Sequence, residues 1–532
     1  MIELEINHLN ESAEQTDEIV AGVRNLRLIF SGEESRSRVF NDLTLEVHRG
    51  EKILLLGPSG CGKSTLLQVL SGIIPELVEV PMRCSSRTVP ASRGVVFQDP
   101  DTQFCMPYVD EELAFVMENL SISREEMPER INNALQEVGL VLEDAHVPIN
   151  SLSQGMKQRL ALASVLLSDP EVLFLDEPSA LLDPEGREQI WQAVSNISNN
   201  RTLIIVEHRI EELLELGLVD NVALFGRAGE LLALAPPDQI FEAYKDELVQ
   251  YGIWYPGVWK QFFQSPFGRS LVSGESVKWT DSSCSHAPII ELQDFCGLRG
   301  GQPVIKVEEL KVYPGDFIAV TGANGAGKSS LLLSLMGLLK ISGNYLLQDQ
   351  QMVDIKKRKT QIRTASQHIG FVFQNPEYQF IEETVSKEIA FSLREAGMPE
   401  AQLDHKVRNA LERFGLLGFE ARHPFQLSLG QKRRLSVAGA VVMEKSVLLL
   451  DEPTFGQDAV NTFEILTLCE ELRVCGAAII MVTHEEMIAN HMATRRWEIN
   501  GGTLRQSMTA RGSELMPGSR TDAKQRIAGV MV

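Results

Sequence analysis

The chain has 532 residues, of which 44% are hydrophobic and 23% are charged, and its formal net charge is −22 at pH 7. That length is too great for one hydrophobic core, and no stretch approaches the roughly 18–20 uninterrupted apolar residues that a membrane span needs. The acidic excess argues against a nucleic-acid partner, because a large nucleic-acid footprint needs clustered Lys and Arg.

The predicted elements alternate between strands and helices in two long stretches, which is typical of parallel α/β domains. Residues 1–22 are acidic and polar, predict a loosely held lead-in and lack the features of a signal peptide, so a cytosolic location is expected. We predict a first α/β domain at 23–227, a helical and aromatic segment with a Ser/Gly/Pro-rich linker at 228–288, a second α/β domain at 289–504, and a disordered tail at 505–532. The clustered aromatic residues of 252–259 could contact a partner, but they are expected to pack on the first domain, since exposed apolar patches are uncommon. Whether the aromatic segment 254–267 as a whole contacts a partner stays open.

A glycine-rich turn stands between the apolar run 52–56 and the start of a helix, and this context indicates a phosphate-binding loop. Its residues are Gly57, Pro58, Ser59, Gly60, Cys61, Gly62, Lys63, Ser64 and Thr65. A second copy follows the apolar run 317–320 and consists of Gly322, Ala323, Asn324, Gly325, Ala326, Gly327, Lys328, Ser329 and Ser330. The glycines let backbone N–H groups surround a phosphate at a helix N-terminus. The two lysines can then reach the β- and γ-phosphates of a nucleotide, and the hydroxyls of Ser64 and Ser329 can bind Mg²⁺.

Each unit also has an apolar strand that ends in two acids and a proline. These residues are Asp176, Glu177 and Pro178 in the first unit, and Asp451, Glu452 and Pro453 in the second. At the carboxyl end of a buried strand beside the phosphate loop, the first acid can hold Mg²⁺ and the second can polarise the water that attacks the γ-phosphate. A lone acid pair after a strand is usually a surface turn, but its repetition in both units disfavours that interpretation. The sequence therefore predicts two catalytic glutamates.

Two helix starts resemble the signature Leu-Ser-Gly-Gly-Gln of the ATP-binding-cassette (ABC) ATPases. They are Leu152-Ser153-Gln154-Gly155-Met156 and Leu427-Ser428-Leu429-Gly430-Gln431. The third position departs from the family pattern in both copies, and the fifth departs in the first copy. Ser153, Gly155, Ser428 and Gly430 keep the hydroxyl and the close backbone approach with which a helix N-terminus can meet a phosphate of ATP.

The resemblance to ABC ATPases implies two P-loop cassettes in tandem, each with a RecA-like parallel-sheet core, an antiparallel β subdomain and a helical subdomain. It also implies roles for further residues: Gln98 and Gln374 match the glutamine loop that senses Mg²⁺, His208 and His484 match the switch histidine that contacts the γ-phosphate, and Asp183 and Asp458 match the D-loop aspartate. Phe30 and Phe295 are candidates for adenine stacking. Cassettes of this family pair head to tail, so each ATP would lie between one phosphate loop and the other signature. Because both units keep a glutamate and a histidine, two hydrolytic sites with ATP and Mg²⁺ are expected.

The glutamine loops resemble a particular branch of the family, the ATPases of energy-coupling-factor (ECF) importers, here with both subunits fused in one chain. The matching stretches are 97–104 and 373–380, each followed by an acidic helix. This resemblance implies a membrane coupling protein and a small substrate-binding membrane subunit as partners, and a peripheral position at the cytoplasmic face of the cell membrane. A vitamin or metal ion is the implied cargo, with thiamine or its precursor as an analogy. Two alternatives stay open: the fused ATPase of a monosaccharide ABC importer, and a soluble ABC protein that acts on ribosomes or nucleic acid.

Overall fold

The computed structural model describes residues 18–31, 36–58, 60–180, 182–198, 201–265, 267–269, 287–353, 358–443, 445–509 and 511. The chain divides into two compact units, Met1–Pro256 with Asp458–Val460 and Gly257–Gln457 with Asn461–Val532, called the first and the second cassette below. Both alternate strands with helices, which confirms the predicted α/β class. In the part of the chain that is described, no helix is both long and apolar enough to cross a membrane.

The first cassette contains two sheets. Its described strands are β1 (Ile19–Ser31), β2 (Arg36–His48), β3 (Lys52–Leu56), β4 (Met82–Arg83), β5 (Ser86–Thr88), β6 (Arg93–Val96), β7 (Val172–Asp176), β8 (Thr202–Val206), β9 (Asn221–Phe225) and β10 (Leu231–Ala235). The first sheet is antiparallel, with β1 between β2 and the short strands β4 and β5. The second has the order β10-β9-β3-β8-β7-β6, and every pair from β9 to β6 is parallel. All residues of β7 and β8 are buried, as expected for parallel strands that helices cover on both faces.

The helices of the first cassette connect these strands. They are α1 (Lys63–Leu70), α2 (Ile73–Glu76), α3 (Val109–Asn119), α4 (Met127–Glu137), α5 (Gln154–Leu166), α6 (Pro184–Ile197), α7 (Glu211–Glu215), α8 (Pro237–Ala243) and α9 (Lys245–Tyr251). Helices α3, α4 and α5 pack on one another and form a helical subdomain between β6 and β7 in the chain. Apolar residues four apart explain the packing, because Leu113 and Met117 of α3 and Ile131 and Leu135 of α4 are buried.

The second cassette places its strands in one continuous sheet. The described strands are β11 (Ile290–Arg299), β12 (Gln302–Val312), β13 (Phe317–Thr321), β14 (Lys340–Leu347), β15 (Gln350–Gln351), β16 (Ile369–Val372), β17 (Val447–Asp451), β18 (Ala478–Val482), β19 (Arg495–Asn500) and β20 (Thr503–Met508). Their order is β15-β14-β11-β12-β20-β19-β13-β18-β17-β16. The antiparallel part joins the rest where Lys306 of β12 pairs with Thr503 of β20. All pairs from β19 to β16 are parallel, so this cassette repeats the parallel core of the first.

Helices of the second cassette cover both faces of its parallel core. They are α10 (Val258–Gln264), α11 (Lys328–Leu335), α12 (Arg358–His368), α13 (Val385–Glu395), α14 (Glu400–Arg413), α15 (Leu429–Val441), α16 (Ala459–Val474) and α17 (Glu486–His491). Neighbouring residues of β13 lie in different hydrophobic clusters, Phe317 and Ala319 in one and Ile318 and Val320 in the other. This is the period-two alternation of a strand, and it gives the cassette a core on each side of the sheet.

Three segments that the sequence analysis placed outside the α/β domains belong to the cassettes. Residues 19–22 begin β1, residues 231–251 form β10, α8 and α9 of the first cassette, and residues 505–508 complete β20 of the second. Pairing with β2, β9 and β19 orders the strand residues, and such pairing is not visible in a local composition. The remainder of the expected lead-in, linker and tail lies largely outside the described residues, at 1–17, 266, 270–286, 510 and 512–532.

The aromatic segment packs on the second cassette from α10 onward, so the expectation that the clustered aromatics pack on the first is wrong for Trp259. The Phe262 ring stacks on Phe463 with centroids 4.2 Å apart, and the Trp259 ring meets Phe463 edge-on at 5.1 Å. Phe263 lies against His491 with centroids 5.0 Å apart. The apolar edge of α16 offers these rings a partner that sequence proximity could not indicate.

Candidate nucleotide sites

The first phosphate loop connects β3 to α1, as the sequence predicts. Gly60 and Gly62 have φ of 81° and 103°, a region that favours glycine. A Cβ atom at Gly62 would come within 2.5 Å of the Val39 side chain. The Lys63 side chain turns back over the loop, and its Nζ donates to the carbonyl oxygens of Gly57 at 2.8 Å and Pro58 at 3.1 Å. Ser59 lies outside the described residues, while the other loop residues lie between β3 and the first turn of α1.

The second phosphate loop, between β13 and α11, repeats this arrangement. Gly325 and Gly327 have φ of 77° and 110°. Lys328 Nζ donates to the carbonyl oxygens of Gly322 at 2.7 Å and Ala323 at 3.0 Å. Both lysines are buried apart from a small fraction, 7% for Lys63 and 6% for Lys328. Each loop therefore presents a helix N-terminus and a fixed ammonium group at the same end of its sheet.

The first acid of each pair lies beside the serine of its phosphate loop. Ser64 Oγ donates to Asp176 Oδ1 at 2.9 Å, and Asp451 lies at the corresponding place beside Ser329. Burial raises the pKa of both aspartates to about 6, against the opposing effect of the serine hydroxyls. Asp451 Oδ1 is buried and has no hydrogen-bond partner among the described residues. An unpartnered carboxylate oxygen next to a hydroxyl fits Mg²⁺, which prefers oxygen ligands.

The second acid of each pair contacts the switch histidine. His208 Nε2 lies 3.0 Å from Glu177 Oε1, and His484 Nε2 lies 3.2 Å from Glu452 Oε1. Gln98 Nε2 donates to the other carboxylate oxygen of Glu177 at 3.0 Å. Burial opposes ionisation of Glu177, but the hydrogen bond from His208 and the charges of His208 and Lys63 outweigh it and lower the pKa of Glu177. Two predicted residues of the first cassette, Gln98 and His208, thus contact Glu177.

Both glutamates have left-handed backbone conformations, with φ of 47° at Glu177 and 49° at Glu452. Residues other than glycine, asparagine and aspartate rarely adopt this region, and strain of this kind is often found at functional sites. Each glutamate N–H is held by the carbonyl of the neighbouring strand, Val206 at 2.8 Å and Val482 at 3.2 Å. The sequence gives no sign of this feature.

Glu207 is a buried acid beside the first site that the sequence analysis missed. Its carboxylate accepts hydrogen bonds from Ser179 Oγ at 2.8 Å and from the His208 N–H at 2.8 Å. Burial, together with the charge of Glu177, raises the pKa of Glu207. At the same place in the second cassette stands Thr483, whose hydroxyl accepts from the Glu485 N–H at 3.0 Å. This difference is visible in the sequence, because Glu207 precedes His208 whereas Thr483 precedes His484.

The signature serines cap the helices that follow them. Ser153 Oγ accepts from the Met156 N–H, and Ser428 Oγ accepts from the Gln431 N–H, both at 3.3 Å. Gln431 Oε1 accepts from the Ser428 N–H at 3.0 Å and completes a capping box, which Met156 cannot do. A Cβ at Gly155 or Gly430 would meet its nearest described neighbour at 3.6 or 3.5 Å, which is ordinary contact. The neighbours within each cassette therefore leave room for a Cβ at these glycines.

One glutamate of each acidic helix accepts hydrogen bonds from backbone N–H groups of its own cassette. Glu112 Oε2 accepts from the N–H groups of Cys105 and Met106, each at 2.8 Å. Glu388 Oε2 accepts from the N–H groups of Ile381 and Glu382 at 3.0 and 2.8 Å. Both glutamates are buried, so they order the chain after the glutamine loop instead of contributing to a surface charge.

The remaining predicted residues are the D-loop aspartates and the two candidates for adenine stacking. Asp183 caps α6 by accepting from the Gly186 N–H at 2.9 Å, and Asp458 directly precedes α16. Phe295 is fully buried and packs edge-on against Tyr345 at 5.8 Å, so its assignment to adenine stacking is wrong. A bulge explains the error, because Asp294 has φ of 46° and the strand register shifts between Gln293 and Cys296. The Phe30 side chain lies outside the described residues.

A parallel α/β core that brings a phosphate loop, a buried acid pair and a histidine to one edge of its sheet defines a P-loop nucleotide hydrolase, and this chain contains two. The family model described as ABC transporter matches residues 40–180 and 305–455. The chain therefore belongs to the ABC transporter family as a tandem ATPase, an enzyme that binds and hydrolyses ATP.

Two relatives of similar length support this assignment. The chain is 36% identical over 490 residues to the provisionally named HMP/thiamine import ATP-binding protein YkoD of Bacillus subtilis (strain 168), with 87% of each chain covered. It is 31% identical over 519 residues to a provisionally named ABC transporter ATP-binding protein of Methanosarcina acetivorans, with 89% of this chain and 83% of the relative covered. The solved structure of cbiO1 from Clostridium perfringens, part of the ABC transporter complex cbiONQ, is 30% identical, covers 42% of this chain and 88% of its own, and has a TM-score of 0.37.

Proposed function

We propose that this ATPase energises the uptake of a small molecule by an importer of the ECF type and that both cassettes hydrolyse ATP. The observation that carries the proposal is a repeated constellation. In each cassette a lysine and a serine of the phosphate loop, a buried aspartate and a glutamate bound to a histidine lie at one edge of the parallel sheet. The presence of this set in both cassettes supports hydrolysis at both sites.

The phosphate loops supply binding. Their N–H groups, Lys63 and Lys328 would bind the β- and γ-phosphates of ATP, and the signature residues Ser153, Gly155, Ser428 and Gly430 would add contacts to the γ-phosphate. The oxygen ligands for Mg²⁺ would be Ser64, Gln98 and Asp176 in the first cassette, and Ser329, Gln374 and Asp451 in the second. When bound there, Mg²⁺ neutralises phosphate charge.

Glu177 and Glu452 would orient the attacking water and accept its proton. Glu177 suits this role because its lowered pKa keeps it ionised at neutral pH and only 18% of its side chain is exposed to competing solvent. His208 and His484 hold the glutamates through the contacts of 3.0 and 3.2 Å. With ATP bound, the same imidazoles can turn to the γ-phosphate, so each histidine links the state of the nucleotide to the position of its glutamate.

The transport part of the proposal has two supports. One is the ECF-like sequence around both glutamine loops, and the other is the similarity to a relative named for HMP/thiamine import. We infer a membrane coupling protein and a small substrate-binding membrane subunit as partners, a peripheral position at the cytoplasmic face of the membrane, and thiamine or its HMP precursor as the cargo to test first.

The catalytic assignment is tested with Glu177→Gln, Glu452→Gln and the double variant. Each single variant should lose the turnover of its own site, and the double variant should lose at least about 100-fold of the ATPase rate, because a positioned base contributes roughly that much. Glu185→Gln, an exposed acid near the start of α6, serves as the control. An undiminished rate in Glu177→Gln would remove the first site from the proposal.

The transport assignment is tested by purifying the tagged protein from detergent-solubilised membranes and identifying what accompanies it. A coupling protein with a small membrane subunit would support the ECF assignment, and binding of thiamine or HMP by that subunit would support the cargo. A paired permease with a periplasmic binding protein, or ribosomal proteins, would overturn it and favour one of the two alternatives. The ATPase assignment does not depend on this result.

A further inference from the structure

The seventh residue of each signature stretch ties α5 or α15 to the glutamine loop of the same cassette, and its chemistry differs between the two. In the first cassette it is Gln158, whose Nε2 donates to the Phe97 carbonyl oxygen at 3.1 Å. In the second it is Arg433, whose Nη1 donates to the Phe373 carbonyl at 2.6 Å and whose Nη2 donates to the Gln374 carbonyl at 2.5 Å. Both side chains are buried, with 2% exposed in each case. The position is thus the same in both cassettes, but the neutral Gln158 makes one hydrogen bond to its loop, whereas the charged Arg433 makes two.

The charge of Arg433 is compensated by nearby acids. Burial lowers its pKa to about 10, against the effect of Glu452 and Asp451, so the guanidinium stays protonated at neutral pH. Charge-assisted, two-pronged hydrogen bonds are roughly twice as strong as neutral ones and fix geometry more closely. The backbone on both sides of the Phe373–Gln374 peptide is therefore held more firmly than the Phe97 carbonyl of the first cassette.

A neighbouring ion pair between a lysine and a carboxylate is present in both cassettes, so it does not contribute to the difference between Gln158 and Arg433. Lys157 Nζ lies 2.7 Å from Asp101 Oδ1, and Lys432 Nζ lies 2.5 Å from Glu377 Oε1, so each signature helix also holds the far side of its glutamine loop. The glutamine side chains differ again. Gln98 bonds Glu177, whereas no corresponding bond from the Gln374 amide to Glu452 is found among the described residues.

We propose that Gln158 and Arg433 are positioning residues for the two glutamine loops, and that the exchange of glutamine for arginine makes the two ATP sites inequivalent. The second loop is held in place by its main chain, and the first retains freedom for its side chain to follow Glu177. The expected effect on ATP turnover rests on the proposed catalytic sites, whereas the hold of Gln158 and Arg433 on the glutamine loops can be measured without nucleotide.

Hydrogen–deuterium exchange of the full chain tests the structural part. Arg433→Gln, which installs the residue of the first cassette, should speed exchange of the 373–378 amides about 10- to 100-fold, as expected for losing charged hydrogen bonds. Gln158→Arg should slow exchange at 97–102. Arg434→Gln is the matched control, because Arg434 lies on the same helix as Arg433 but its Nη1 donates to Asn461 Oδ1 of α16 at 2.6 Å and not to the glutamine loop. Unchanged exchange at 373–378, or faster exchange throughout the second cassette, would overturn the proposal.

The consequence for ATP is tested in the Glu177→Gln background, where turnover comes from the second cassette. Arg433→Gln should lower kcat about 3- to 30-fold with KM for ATP changed less than about 2-fold, and Arg433→Lys should recover part of the loss, since it keeps the charge but not the fork. An equal loss with both substitutions, or a loss confined to KM, contradicts a positioning role. If this background has no turnover at all, the proposed second site fails, while the exchange experiment still tests whether Arg433 holds the glutamine loop.

Discussion

Asp176 lies beside the first phosphate loop with 8% of its surface exposed, and burial raises the pKa of its carboxyl to about 6. We predict that Asp176→Asn stabilises the first cassette when nucleotide and Mg²⁺ are absent. Because the folded pKa lies above the unfolded one, the protonated carboxyl favours the fold at low pH, and this contribution is lost as pH rises from 3.8 through about 6. At neutral pH the folded cassette therefore holds an unfavourable buried charge.

The size of the effect follows from the two pKa values. A rise from 3.8 to about 6 corresponds to a destabilisation of about 3 kcal/mol at pH 7.5. The asparagine oxygen can still accept the Ser64 hydroxyl, so the variant keeps the hydrogen bond of 2.9 Å and removes the charge. We expect a gain of about 1–3 kcal/mol, which corresponds to roughly 2–12 °C in the melting temperature of a cassette of this size.

Differential scanning calorimetry at pH 7.5 and pH 5.5 measures this gain, which should be larger at the higher pH. Asp169→Asn is the control, because it removes the same charge from a side chain that is 90% exposed and should change the melting temperature little. With ATP and Mg²⁺ the order should reverse, since the parent gains stabilisation that the variant lacks. A variant that melts at or below the parent at pH 7.5 without ligand, or a gain equal at both pH values, would refute the reasoning.

The remaining predictions concern an ionic cluster, the aromatic segment and a helix cap. Glu470 accepts from Arg473 at 2.8 Å and from Arg511 at 2.6 Å in a buried cluster, so Glu470→Gln should lower the unfolding free energy of the second cassette by about 3–5 kcal/mol. The substitution Glu471→Gln, at an exposed neighbour, should change that free energy by less than about 1 kcal/mol. Equal effects of the two substitutions in urea unfolding would contradict this prediction. Trp259→Ala should destabilise the same cassette by about 1–3 kcal/mol through its lost ring contacts, and an unshifted urea midpoint would count against the packing described. Ser153→Ala should cost about 1 kcal/mol by removing the cap of α5, and a larger fall in ATPase rate than in stability would support its contact with phosphate.

The sequence predicts the parts of the sites that depend on local pattern. A glycine-rich turn after an apolar run and before a helix leaves little choice for Lys63 and Ser64, and parallel strands must bring Asp176 and His208 to the same edge of a sheet. These placements follow from the period of the strands and the length of the connections. The structure brings these side chains together as expected, while their roles in catalysis stay predictions.

Features that depend on distant partners were not predictable. The bond from Gln158 to the Phe97 carbonyl joins residues far apart in the chain, and no local pattern selects it. The bulge at Asp294 reverses the alternation of β11 and turns Phe295 into the core, which a count of alternating residues cannot detect. The aromatic rings of α10 find Phe463 on another helix for the same reason.

The left-handed backbone at Glu177 and Glu452 limits which residues evolution can place there. Valine, isoleucine and threonine clash with that conformation, whereas glycine, asparagine and aspartate adopt it more easily. A saturation library at position 177 or 452 should therefore be ordered, in protein yield, by backbone preference and not by charge. Loss of catalysis in one cassette would then tend to proceed through asparagine, aspartate or glycine, so these residues mark a site that has been switched off while its fold is retained.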